Sequence, residues 1–81
     1  MRHPRDLDSA TLVKRLSRLG YSRVRQRGSH MTLRTDELGG NRIWVPVRSP
    51  IAVGTLRNIL GQVALHHRLS MEELLKLLDL D

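Results

Sequence analysis

The sequence predicts one small α+β domain in the order helix, three strands, helix, short helix, with the helices on one face of a three-stranded antiparallel sheet. Three observations predict it. Apolar residues recur at helical spacing towards both ends of the 81-residue chain, they alternate with a period of two in its middle, and Gly- or Asn-containing turns separate the segments. Two separate cores of about 40 residues each would need covalent or metal staples. The chain has no cysteine to supply them, so residues 1–81 are read as a single domain.

The first helix is predicted from Ser9 to Leu19, where Leu12, Val13, Leu16 and Leu19 form the apolar stripe and Lys14, Arg15 and Arg18 a solvated side. Asp8 or Ser9 can cap it, Gly20 ends it, and residues 1–8 are expected to fray. Tyr21 to Gln26 reads as a short strand with Arg23 and Arg25 on one side of Val24, followed by a turn or bulge at Gly28-Ser29. His30 to Thr35 is the second strand. Its alternation turns Met31 and Leu33 to the core and His30, Thr32 and Arg34 away from it.

A loop over Asp36 to Asn41 leads to a third strand, Arg42 to Val47, with Ile43, Val45 and Val47 inward and Arg42, Trp44 and Pro46 outward. Pro46 lacks the N–H that a central strand needs, which places this strand at an edge or ends it near Pro46. Thr55 is expected to cap the second helix, whose stripe is Leu56, Ile59, Leu60 and Val63. A last helix is expected over 70–81, where Ser70 and Glu73 have capping-box spacing and Met71, Leu74, Leu75 and Leu78 share a face.

Charge narrows the function. Fourteen Lys and Arg against eight Asp and Glu give +6, and twelve of the fourteen are Arg, whose planar fork suits phosphate. Residues 1–50 hold eleven basic and four acidic side chains, net +7, whereas 51–81 hold three and four, net −1. A localised excess suggests one face that meets a polyanion, with a merely solvated basic surface and an acidic protein partner as the alternatives on charge alone. The longest apolar run, Ile43 to Val47, is five residues, far below the roughly 20 needed to cross a bilayer. With no apolar segment near Met1 either, the expectation is a cytoplasmic protein without membrane attachment.

The strand assignments gather chemistry on the uncovered sheet face: His30, Thr32, Arg34, Arg42 and Trp44, flanked by Arg23, Arg25 and Arg27. Arginine binds phosphate oxygens bidentately, tryptophan stacks on an unpaired base, and histidine exchanges protons near neutral pH. RNA fits this set better than DNA, because its 2′-hydroxyl is an internal nucleophile that needs a base and a cation but no metal. Trp44 is either such a platform or is buried under a partner, and a one-residue slip would put it in the core. Gly28 and Ser29 are turn residues, with Ser29 a candidate to orient the imidazole. His3 falls in the fraying end, and the adjacent His66 and His67 point about 100° apart, unlike a metal pair.

Three segments carry a resemblance: Arg25-Gln26-Arg27-Gly28-Ser29-His30, Arg42-Ile43-Trp44-Val45-Pro46-Val47 and Gly54-Thr55-Leu56-Arg57-Asn58-Ile59-Leu60. In order and separation they resemble the HicA (YcfA-like) toxin family, over about Ser9 to Val63. The resemblance implies a dsRBD-like α-β-β-β-α fold and a small mRNA-cleaving ribonuclease of a type II toxin–antitoxin system, held inactive by a HicB-type antitoxin. The family's catalytic histidine follows the Gly-Ser pair and falls on His30. Many members have a second histidine where this chain has Met31, and Ala64 to Leu69 is longer than the family's usual turn.

The combined expectation is a metal- and cofactor-independent endoribonuclease. His30 would handle a proton while Arg25, Arg27, Arg34, Arg42 and Trp44 hold RNA. Water, Tyr21 or no group at all would be the second acid–base partner. A non-catalytic RNA-binding module and a protein-interaction domain are the opposing readings.

Overall fold

Asp8 caps the first helix, its Oδ1 accepting a hydrogen bond from the Thr11 amide at 2.8 Å in the computed structural model, which describes residues 7–80. Helix α1 (Ser9–Leu16) continues as a 3₁₀ turn, Ser17–Leu19, and buries Leu12, Leu16 and Leu19. Gly20 stops it at φ +83°, and a Cβ there would lie 2.7 Å from Thr35 Oγ1 and 2.8 Å from Glu37 Oε2. Both the dihedral and the close approach demand glycine. The expected fraying does not extend to residues 7 and 8: Leu7 is fully buried, and its carbonyl accepts from the Ile51 amide at 2.8 Å. His3 lies outside the described residues.

Strands β1 (Ser22–Arg27), β2 (His30–Thr35) and β3 (Asn41–Pro46) form an antiparallel meander with β2 in the centre. Only two residues, Gly28 and Ser29, join β1 to β2. Gly28 takes φ +55° and Ser29 has no positive φ, the pattern of a II′ hairpin whose twist matches that of the strands. A short 3₁₀ turn, Glu37–Gly39, links β2 to β3. Pro46 sits on an edge strand, as its missing N–H requires. Val47, expected to face inward, instead follows the strand and is 42 % exposed.

Helix α2 (Val53–His67) buries Leu56, Ile59, Leu60 and Val63 against β3. It begins at Val53 with Ala52 at the cap, so Thr55 lies inside the first turn and does not cap it. Helix α3 (Met71–Leu77) opens on the expected capping box: Ser70 Oγ accepts from the Glu73 amide at 3.0 Å and Glu73 Oε1 from the Ser70 amide at 2.8 Å. It buries Leu74 while Met71 stays exposed, and it ends earlier than expected; the chain then turns so that Leu78 and Leu80 are buried. The resulting α-β-β-β-α order, with both long helices on one face of the sheet, is the dsRBD-like arrangement expected. None of the helices among the described residues is long and apolar enough to cross a membrane.

Two arginines expected only to be solvated also tie down the end of the chain, Arg15 half-buried and Arg18 still exposed. Arg15 Nη1 donates to the Leu78 and Asp79 carbonyls at 2.9 and 2.8 Å, and Arg18 Nη1 donates to the Leu77 carbonyl at 3.0 Å. They satisfy carbonyls left over at the end of α3 and set positive charge where the helix dipole favours it.

The stretch 64–69 is the end of α2 rather than an extended turn, with Arg68 in the left-handed cap position at φ 58°. His67 is buried there, edge-on to Tyr21, with Nε2 3.2 Å from the Tyr21 hydroxyl and Nδ1 4.0 Å from Glu37. Burial holds its pKa below the ordinary 6.5, and neighbouring His66 lowers it further, against an opposing pull from Glu37. The unfolded chain therefore takes up this proton first, so stability is full above about 6.5 and is lost as the pH falls below that value. Urea midpoints at pH 7.5 and 5 should show a larger acid loss for the parent than for His67→Leu. Equal losses would remove His67 as the cause.

Candidate nucleic-acid interface

The outer face of the sheet is organised by cross-strand pairing into three rows. Arg27, His30 and Pro46 form one, Arg25, Thr32 and Trp44 the next, and Ser22, Arg34 and Arg42 the last. Alternation along β2 produces this: Met31, Leu33 and Thr35 are buried on the helix side, which forces His30, Thr32 and Arg34 outward. The same parity in β3 leaves Trp44 74 % exposed, which removes the slipped register that would have put it in the core. Of the expected set, His30, Arg25, Arg27, Arg34, Arg42 and Trp44 therefore share one surface.

Arg23 does not join them. The register of β1 shifts between Arg23 and Arg25, so that Arg23 pairs with Leu33 while Arg25 pairs with Thr32. The bulge at Val24 breaks the two-residue alternation, sending Arg23 to the helix side, where it borders a groove with Ala10 and Val13 of α1. Its guanidinium donates to Gln26 Oε1 at 3.1 Å.

Two clefts meet at His30 and Trp44. One of about 380 Å³ is lined by Arg25, Arg27 and Thr32 as well, on the β1 side. The other, about 370 Å³, runs towards the start of α2 and adds Ser29, Pro46, Arg48, Ala52 and Thr55. The His30 ring is exposed, and among the described residues no hydrogen bond or ion pair holds it. Arg25, Arg27, Arg42 and the side chain of Arg48 are likewise unpaired among those residues, whereas Arg34 meets Asp36 at 3.1 Å in an exposed pair. The arrangement sets an exposed imidazole, several unneutralised cations and an aromatic plane on one surface.

Two expected contributions take a different form. Ser29 acts through its backbone, its carbonyl accepting from the Val47 amide at 2.7 Å, and its hydroxyl does not hydrogen-bond the imidazole among the described residues. Tyr21 lies beneath the sheet, 2 % exposed, with Asn41 Nδ2 donating to its hydroxyl at 2.7 Å. Burial and the nearby Glu37 raise the pKa of that hydroxyl against the opposing Asn41 bond, and its place in the core removes it as an acid–base partner of His30. The sequence reading also missed Arg48 and Thr55. Arg48 lies in an aperiodic loop just past β3, where hydrogen bonds to Ser9 of α1 hold its backbone, and it lines His30's cleft with Thr55 of α2.

A family model described as the HicA toxin of bacterial toxin–antitoxin systems matches residues 9–65, from the first residue of α1 to near the end of α2, leaving α3 outside the match. Comparison with curated proteins and with solved structures gave no match. The family match covers more than half of the sequence, so the chain belongs to the HicA toxin family of bacterial toxin–antitoxin systems.

Proposed function

We propose that this toxin is a metal-independent endoribonuclease that cleaves messenger RNA, with His30 as its proton-handling group and a HicB-type antitoxin as the partner that covers the outer sheet face. The observation that carries the reading is the position of His30. It is the only imidazole on the outer face among the described residues, its ring is free, and Arg27 is its cross-strand neighbour. In the proposed reaction the imidazole takes the proton from a ribose 2′-hydroxyl, and the 2′-oxygen then bonds to the adjacent phosphorus. The bond from phosphorus to the 5′-oxygen breaks, and that oxygen takes a proton from water or from the imidazolium. The products are a 2′,3′-cyclic phosphate and a free 5′-hydroxyl. Arg25 and Arg27 neutralise charge that develops on the phosphoryl oxygens, and Arg34 and Arg42 hold the chain further along. Stacking of one base on Trp44 would add about 1–3 kcal/mol.

The test uses a messenger RNA in excess EDTA and analyses fragment ends. Cyclic phosphates should appear, and a substrate with a 2′-deoxy sugar at the cut position should be bound but left intact. Cutting of the deoxy substrate would overturn the mechanism. Retention of all RNA uncut would leave a binding module that reads shape and phosphate.

A further inference from the structure

Arg48 is not accounted for by the three rows of the outer face, yet it shares a cleft with His30. Its backbone is fastened on both sides. The Arg48 amide donates to Ser9 Oγ at 3.2 Å, its carbonyl accepts from the Ser9 amide at 2.9 Å, and the neighbouring Val47 and Ile51 amides are bonded to Ser29 and Leu7. The guanidinium at the end of this fixed backbone has no partner among the described residues. Anchoring the base of a side chain while leaving its charge unspent lowers the ordering cost when an anion arrives. Thr55 lines the same cleft, and because Ala52 takes the cap position of α2 its hydroxyl has no hydrogen-bond partner among the described residues.

The two clefts share His30 and Trp44, and each adds arginines of its own, Arg25 and Arg27 in one and Arg48 in the other. We infer that Arg48, with the Thr55 hydroxyl, forms a second phosphate subsite, so that the site grips consecutive phosphates of one RNA strand on both sides of the reacting sugar. This inference rests on the RNA-cleaving reading above. A base must leave its stack to lie on exposed Trp44 between the clefts, so the substrate class is single-stranded RNA extending past the cut in both directions.

The test measures affinity for a short single-stranded RNA oligonucleotide across a salt series, using His30→Ala protein so that the RNA survives. Adding Arg48→Gln should weaken binding about tenfold at low salt and make the log–log salt slope shallower by about 0.7, the value of one lost phosphate contact on a single strand. Arg48→Lys should keep the slope. Arg68→Gln removes the same charge at the opposite end of α2 and should leave both quantities unchanged. Equal effects of Arg48→Gln and Arg68→Gln, or no effect of either, would overturn the subsite while the unsubstituted protein still cuts RNA. Absence of both binding and cutting by the unsubstituted protein would instead defeat the RNA-cleaving reading itself, and the subsite with it.

Discussion

Substituting His30 by Ala should lower RNA cleavage by about 10²- to 10⁴-fold, the usual contribution of a positioned acid–base group, while leaving the thermal unfolding curve nearly unmoved. The second half of that expectation follows from packing. The ring is exposed and makes no bond among the described residues, so removing it opens no cavity and strands no buried polar atom. The backbone pairing with Arg27 and Pro46 is untouched by the side chain. Cleavage rates and unfolding curves should be measured on the same preparation. Activity that survives the substitution would remove His30 from the mechanism, and a collapse of the unfolding transition would mean that the ring has a structural role.

The opposite result is expected three residues further along the same strand. Leu33 is fully buried beneath the sheet, paired with Ile43 and Arg23, and Leu33→Ala should cost about 2–5 kcal/mol through lost transfer energy and the cavity left behind. A chain of this length has a total stability of roughly 4–12 kcal/mol, so the loss takes a large share and the protein should be partly unfolded near its working temperature. Urea titration followed by circular dichroism measures it. A shift below about 1 kcal/mol would contradict the close packing of α1 and α2 against β2 and β3. Activity is then lost by two routes, without unfolding at His30 and through unfolding at Leu33.

That contrast was readable in the sequence, because strand alternation is a local rule that β2 obeys throughout. The helical stripe of α2, the capping box at Ser70 and the stop at Gly20 were readable for the same reason, since each needs only residues within a few positions of one another. What escaped depended on distant partners. The bonds of Arg15 and Arg18 were hidden because the carbonyls they reach lie about sixty positions later. The bulge at Val24 carries no glycine to announce it, and it moved Arg23 off the site. Ala52 has no side-chain oxygen to mark the start of α2, so Thr55 looked like the cap. Tyr21 and His67 could be seen as polar residues, but not as buried partners that meet edge to face. Arg48 has no periodicity around it, and only folding places it beside His30.

The outer sheet surface carries its imidazole at the hairpin end of β2, a strand that is hydrogen-bonded on both edges. A strand paired on both sides is held in place, so a partner that silences this face is expected to act by occupying it. A half-inhibited sample would be a mixture of bare and masked molecules, and titration with a tight inhibitor should descend in a straight line to equivalence, without a sigmoid.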